Sequence, residues 1–246
     1  MKLKTALFAS ALALTGVSAF AQAKAPEPDY TLSGNMTLAS DYRFRGISQT
    51  NKKPALQGGF DFAHKSGFYL GNWNSNISSQ FYNGANIEMD FYGGYKGSAG
   101  DLGYDLGAIY YYYPGSGNIA GTNKIDNTEL YAGVSYGPFS AKYYHAVSKF
   151  FSAPNTKNSF YIDLGYAQDL GDGWGVNAHV GYQKVKNTPG GAGKITDYKL
   201  GVTKDLSGYV VGASYVSTNR KNTFFDPTAG KDVGKGTVVL SVAKSF

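Results

Sequence analysis

The chain has no cysteine, and beyond residue 20 it has no apolar run long enough for a membrane-spanning helix. Such a helix needs roughly 20 consecutive, mainly apolar residues. Without cysteine the chain can form no disulfide framework and can carry no lipid on a cysteine side chain. Sustained helical spacing of apolar residues is also missing after the N-terminal segment. These absences exclude a membrane-spanning helix beyond the N-terminal segment and a disulfide-rich domain, and they favour an all-β chain.

The N-terminal segment has the pattern of an export signal. Residues 1–4 include two lysines. Residues 6–20 are almost wholly apolar or small, and small residues follow. This predicts a signal peptide over residues 1–23, cleaved near Ala21 or Ala23, and a mature domain over residues 24–246. The alternative is a retained anchor helix, for which the apolar run is short.

Glycine and aromatic residues are abundant, with 33 Gly, 21 Tyr and 15 Phe in 246 residues. Mean hydropathy is nevertheless slightly polar, at -0.29. A transmembrane β-barrel has this profile because only the outer face of each strand is apolar.

Twelve alternating stretches are separated by turn residues. They are residues 31–45, 55–63, 68–76, 86–95, 102–113, 128–136, 139–147, 159–168, 174–186, 195–204, 209–218 and 236–246. An even number is typical of single-chain bacterial barrels, and each stretch supplies the roughly 9 to 11 residues of a membrane strand. The connections alternate between short and long, as periplasmic turns and external loops do. The sequence therefore predicts a transmembrane, antiparallel up-and-down β-barrel of twelve strands in a bacterial outer membrane.

Strand faces agree with this prediction. In the last strand Val238, Leu240 and Val242 share a face with Lys244 and Phe246, and the other face is small or hydroxylated. A terminal Phe on such a strand resembles the closing strand of outer-membrane barrels; the alternative is an edge strand of a soluble sandwich. Aromatic residues near strand ends predict interfacial girdles. Those expected in the girdles are Tyr42, Phe44 and residues 110–113 outside, and Tyr95, Tyr136 and Tyr166 inside.

A family resemblance is carried by residues 40–49, which read SDYRFRGISQ. This stretch resembles the opening motif of the TorF-like porin family of bacterial outer-membrane proteins. Residues 54–61, 67–73, 101–104 and 112–114 also fit, and the resemblance is strongest over residues 40–114. It implies an outer-membrane barrel that acts as a porin.

Charged residues on the inward faces suggest what the barrel does. Barrels of about 8 strands are filled by side chains, and those of about 16 to 18 strands leave an open channel. Twelve strands predict a narrow, water-filled passage for small hydrophilic solutes or ions. The alternative is that the charges pair with one another and fill the lumen. The predicted pore-lining residues are Asp41, Arg43, Arg45, Glu88, Asp90, Asp105, Glu129 and Asp163, with Asp61, Asp197 and Lys199 also inward. Arg43, Arg45, Glu88 and Asp90 are expected at the narrowest part.

The formal net charge is +6, and basic residues are dispersed through the predicted external loops. Such a rim would suit contact with outer-membrane lipid and phosphate-bearing lipopolysaccharide, although solvated loops give the same pattern. Nucleic acid is not an expected partner, because the sequence contains no recognisable binding fold. The sequence predicts no cofactor or metal site and leaves the oligomeric state open.

Two other functions remain as alternatives. A barrel hydrolase would need Ser and His as neighbours on one face, and His145 is the candidate histidine. The chain has no Gly-x-Ser-x-Gly or His-Glu-x-x-His motif, so the expectation is a protein that is not an enzyme. A structural or adhesive surface protein without an open pore would depend on the aromatic loop tip at Phe224 and Phe225.

Overall fold

The fold is a closed antiparallel β-barrel of twelve strands, described by a computed structural model over residues 28–188, 193–220 and 230–246. The predicted cleavage positions, Ala21 and Ala23, lie outside the described residues. No helix within those ranges has the length and apolar character needed to cross a membrane.

The barrel strands follow one another around the wall in chain order. They are β1 (Tyr30–Ala39), β4 (Ala55–His64), β5 (Phe68–Asn76), β6 (Ile87–Ala99), β7 (Leu102–Tyr112), β8 (Asp126–Tyr136), β9 (Phe139–Ala146), β10 (Phe160–Gly171), β11 (Trp174–Lys184), β12 (Lys194–Leu206), β13 (Tyr209–Thr218) and β14 (Thr237–Ser245). Two short strands, β2 (Arg43–Phe44) and β3 (Ile47–Ser48), pair only with each other, and a 3₁₀ turn covers Phe150–Ser152.

The barrel closes where the first strand meets the last. β1 pairs with β14 from Asn35↔Ser245 to Ala39↔Ser241, and with β4 on its other side. Gly34 and Phe246 exchange two backbone hydrogen bonds, of 2.7 and 2.9 Å. Gly34 admits the Phe246 ring, because a Cβ there would lie 2.5 Å from the ring. The predicted twelve-strand closed barrel is confirmed.

The two ends of the barrel differ in their connections. At one end, called the short-turn end, the turns are residues 65–67, 100–101, 137–138, 172–173 and 207–208. At the other, the long-loop end, the connections are residues 40–54, 77–86, 113–125, 147–159, 185–193 and 219–236. The predicted alternation is confirmed. Three strands run two or more residues past their predicted ends: β6 to Ala99, β10 to Gly171 and β12 to Leu206. Their ladders with β7, β11 and β13 continue through residues that the sequence pattern assigned to turns.

The outer wall is apolar around the barrel. Leu38, Leu130, Leu200 and Leu240 each expose half or more of their surface. Their strand neighbours, which point inward, are mostly small, polar or charged. The predicted assignment of apolar faces to the outside is therefore confirmed, and Tyr95, Tyr110 and Tyr136 lie exposed near strand ends.

Four of the residues predicted for the girdles are wrong. Tyr42, Tyr111 and Tyr113 are buried and Phe44 is half-buried, and all four pack together inside the barrel. The predicted first strand, residues 31–45, is wrong around Tyr42 and Phe44: β1 ends at Ala39. The chain leaves the ladder there because residues 43–48 form a hairpin of their own.

Candidate functional site

A loop folded into the lumen is the main feature of the site. Residues 40–54, which join β1 to β4 and are called the plug loop below, contain the β2–β3 hairpin. Arg45 (φ 47°) and Gly46 (φ 82°) both have positive φ at its tip. Positive φ at both central residues is typical of a type I′ turn, which suits a two-residue hairpin. The pairs Arg43↔Ser48 and Phe44↔Ile47 flank that turn.

Asp41 ties the base of the hairpin together. One carboxylate oxygen, Oδ1, accepts hydrogen bonds from the hydroxyls of Ser48 at 2.6 Å and Thr50 at 3.1 Å. The other, Oδ2, pairs with Arg43 Nε at 2.6 Å. All three contacts lie within the plug loop, so Asp41 stabilises the loop's own shape.

Arg43 connects the plug loop to the loop between β13 and β14. Its Nη1 donates to the carbonyl oxygens of Gly46 at 3.1 Å, Val233 at 3.0 Å and Lys235 at 3.1 Å. A second connection is the backbone hydrogen bond from Ser48 N to Val233 O, at 3.0 Å. The hairpin is thereby held at the long-loop end of the barrel.

Arg45 connects the tip of the plug loop to the barrel wall. It pairs with both carboxylate oxygens of Glu129 on β8, at 2.6 and 3.1 Å, and it donates to Gln183 on β11. The side chains of Arg45 and Glu129 are 7% and 0% exposed. A bidentate, charge-assisted pair of this kind fixes orientation as well as position.

Aromatic rings surround the Arg45 guanidinium. Its central carbon lies 4.3 Å from the ring centre of Tyr161, 4.7 Å from Phe44 and 5.4 Å from Tyr144. Rings at these distances attract a cation through their faces. Burial by itself would lower the pKa of Arg45, but Glu129 outweighs it and holds the pKa above its usual value, so the guanidinium stays charged.

The tip also packs against β12 and β13, while Arg45 reaches β8 across the lumen. A Cβ on Gly46 would lie 2.7 Å from Asp197 Cβ and 3.0 Å from Thr218 Cβ, so only glycine fits between these residues of β12 and β13. The plug loop therefore crosses the lumen and fills its long-loop half.

Glu88 and Asp90, called the acid pair below, lie on β6 beneath the plug loop and are 1% and 6% exposed. Glu88 Oε1 accepts a hydrogen bond from Tyr113 at 2.8 Å. Glu88 Oε2 and Asp90 Oδ1 have no hydrogen-bond partner in the described part of the chain. The plug loop lays Tyr42 beside both carboxylates, with its ring 5.3 Å from that of Trp73.

A cavity of about 1000 Å³ lies between the plug loop and the short-turn end. Arg43, Arg45 and Gly46 line it on the plug side, and Ser98 and Asp101 line it at the short-turn end. Its wall mixes small, polar and charged side chains with apolar ones. The polar and charged wall residues include Thr37, Ser140, Asn177, His179, Lys199, Ser214 and Ser241, and the apolar ones include Phe139, Val216 and Val239.

The other predicted pore-lining carboxylates bond to neighbours in the lumen. Asp105 pairs with Lys142 at 2.7 Å and accepts from the Tyr69 hydroxyl at 2.5 Å. Asp163 contacts His179 Nδ1 at 3.0 Å, and the other ring nitrogen of that histidine lies 2.9 Å from Asp197.

All eight predicted residues lie inside the barrel, but three of them lie on a loop and not on a barrel strand. Glu88, Asp90, Asp105, Glu129 and Asp163 point inward from strands, as alternation predicts. Asp41, Arg43 and Arg45 were predicted on the first strand and instead belong to the plug loop. Arg45 does pair with a carboxylate across the lumen, but with Glu129 and not with the acid pair. Sequence reasoning did not identify Lys142, although alternation along β9 places it inward.

Solved structures with a similar fold are outer-membrane porins. The NanC porin superposes with a TM-score of 0.57 and 9% identity, covering 88% of this chain and 99% of its own. The KdgM porin, solved in complex with oligogalacturonate, superposes with a TM-score of 0.54 and 8% identity, covering 87% of this chain and 98% of its own. At these identities the likeness shows the fold alone.

No curated protein matches the chain in sequence. The finer resemblance to the TorF-like porin family stays a prediction. The model of the family described as "Bacterial protein of unknown function (Gcw_chp)" matches residues 22–246, and the chain therefore belongs to that family.

Proposed function

We propose that the protein is an outer-membrane channel through which small hydrophilic solutes or ions diffuse passively, with the plug loop as its constriction. The observation that carries the proposal is a cavity of about 1000 Å³, lined in part by charged and polar side chains, inside a closed barrel whose outer wall is apolar. An apolar outside and a polar inside are what a barrel needs in order to carry water through lipid. The porin fold of the similar solved structures supports the same function.

The proposal places the long-loop end outside the cell and the short-turn end in the periplasm, as in barrels of this class. The signal peptide over residues 1–23 belongs to this proposal, since export must precede insertion. Exposed lysines at the long-loop end would meet lipopolysaccharide phosphates; Lys53, Lys124, Lys157 and Lys231 are exposed there.

Selectivity would come from the plug loop and the wall facing it. Asp41 and Arg43 shape the loop, while Arg45 and Glu129 set the width and charge where it meets the wall. Charges and pore diameter are how such channels discriminate among solutes. Asp105 and Asp163 would line the wider part below.

Planar-bilayer recording of the refolded protein tests this proposal. Discrete current steps that are absent from bilayers treated with detergent alone are the expected result. Bilayers that stay silent although the protein is folded and inserted would contradict it.

A barrel without an open pore is the second candidate function, and one observation favours it. The plug loop packs against the wall in the long-loop half, where Tyr42 of the loop and Tyr111 and Glu129 of the wall are buried. An adhesive role through residues 223–227 concerns a segment outside the described residues. A hydrolase role has less support, because His145 bonds to the Tyr143 hydroxyl and the Asn158 side chain on the outer wall.

A further inference from the structure

We propose that the acid pair makes seating of the plug loop depend on protons, so that acid closes the lumen and higher pH releases the loop. Only the expected effect on transport rests on the proposed function. The closing movement itself is a property of the loop and can be measured without any current.

The first step is the burial of two carboxyl groups without a cation. Glu88 and Asp90 are 1% and 6% exposed, and no ion pair reaches either one within the described ranges. An isolated ionised carboxylate in such a site costs several kcal/mol, whereas the neutral acid costs far less. Each of them also has an oxygen without a hydrogen-bond partner among those residues, which the neutral acid tolerates better.

The second step is that the plug loop itself helps to bury the pair. Tyr42 comes from the plug loop and lies beside both carboxyl groups, packed against Trp73 of β5. If the loop leaves the lumen, Tyr42 leaves with it and water reaches the pair. The ionised form is then solvated, so ionisation favours the released loop and protonation favours the seated one.

Several titratable groups face the acid pair from the elements around it. Tyr42 and Tyr82 lie beside it from two long loops, Tyr111 from β7, Tyr113 from the connection that follows β7, and Glu129 acts on Asp90 from β8. Burial, with the two carboxyl groups second, raises the pKa of Tyr42 and Tyr82, so both phenols stay neutral. Arg45 is the cation on that side of the lumen, and Glu129 already occupies it.

Low pH favours the seated loop. Seating takes up protons, so the ratio of seated to released loop falls as pH rises, by up to about tenfold per pH unit for each proton taken up. At low pH both carboxyl groups are protonated whether the loop is seated or released, so seating carries no cost of burying charge. Once the pH is high enough to ionise the released pair, that cost grows with pH.

Trp73 provides a direct readout. The chain has two tryptophans, Trp73 beneath Tyr42 and Trp174 on the outer wall, so Trp174→Phe leaves Trp73 as a single reporter. Iodide quenching of Trp73 should increase several-fold between about pH 5 and pH 9 as the loop leaves. If the channel is also open to solutes, conductance should rise over the same interval. A silent bilayer with pH-dependent quenching would contradict the proposed function and leave this inference standing.

The variant Glu88→Gln/Asp90→Asn replaces both acids by neutral side chains of similar shape and should keep the quenching of Trp73 at its low, acid-pH level at every pH. Asp105→Asn is the matched control, because that carboxyl is inside the lumen but already has Lys142 as partner. Asp90→Asn alone serves if the double variant does not fold, and should flatten the profile in part.

Three results would overturn the inference. The first is quenching that does not change with pH in the protein with both acids. The second is an unchanged profile in the amide variants, with a loss of the profile in His179→Gln, since His179 also faces carboxylates near the plug loop. The third is seating of the loop at high pH by calcium ions alone, which would assign the pair to a cation.

Discussion

At the scale of single residues, inward tyrosines lie flat over glycines of the neighbouring strand. Tyr131 covers Gly107 and Tyr92 covers Gly71, and in both cases the two residues are direct partners in the ladder. A ring needs this arrangement to lie against the wall instead of standing across the lumen. The abundance of glycine and tyrosine therefore has a packing cause that composition alone does not reveal.

Gly107→Ala should destabilise the barrel. The added Cβ would lie 2.5 Å from both the Tyr131 ring and the backbone oxygen of Gly93, and the backbone cannot move aside cheaply. The expected loss in the free energy of unfolding is about 1–3 kcal/mol, measured with guanidinium in detergent micelles.

Gly133→Ala is its control, because the nearest atom there is the flexible end of Lys142 at 3.1 Å. Its cost should stay below about 1 kcal/mol. Equal effects of the two substitutions would refute this account of the tyrosine–glycine packing.

At the scale of elements, the strands could be predicted from the sequence and the plug loop could not. Strand faces follow from alternation, because the outer wall must be apolar along every strand. Residues 41–45 continue the same alternation with two aromatic and three charged residues, so no local signal marks the end of β1 at Ala39. What places them inside is a set of contacts with residues far along the chain, such as Glu129 and Gln183. Local patterns carry no information about such contacts.

The seat of the plug loop on the wall can be tested through Arg45 and Glu129. Arg45→Met leaves a fully buried carboxylate without its cation, which should cost about 3–5 kcal/mol of stability. Adding Glu129→Leu to the same protein should recover most of that loss, since an apolar pair of similar volume needs no counter-charge. Guanidinium unfolding of the two single variants and the double variant measures the coupling. Additive losses would show that the two side chains do not depend on each other.

At the scale of the whole molecule, an apolar outer wall surrounds a lumen that is packed at one end and hollow at the other. The cavity of about 1000 Å³ reaches the short-turn end, and the plug loop separates it from the long-loop end. The plug loop is not needed to close the barrel, because β1 and β4 pair along their whole length up to Ala39↔Ala55. The wall and the constriction are thus separable parts of the molecule.

The most direct measurement of this account compares single-channel conductance with and without the plug loop. Residues 40–54 can be replaced by Asn-Gly, which joins the paired Ala39 and Ala55 through a type I′ turn. Because the plug loop is the constriction, this variant should fold, and its conductance should be several times that of the complete chain at acidic pH, where the loop is seated. A folded, inserted variant that conducts no better than the complete chain would contradict it.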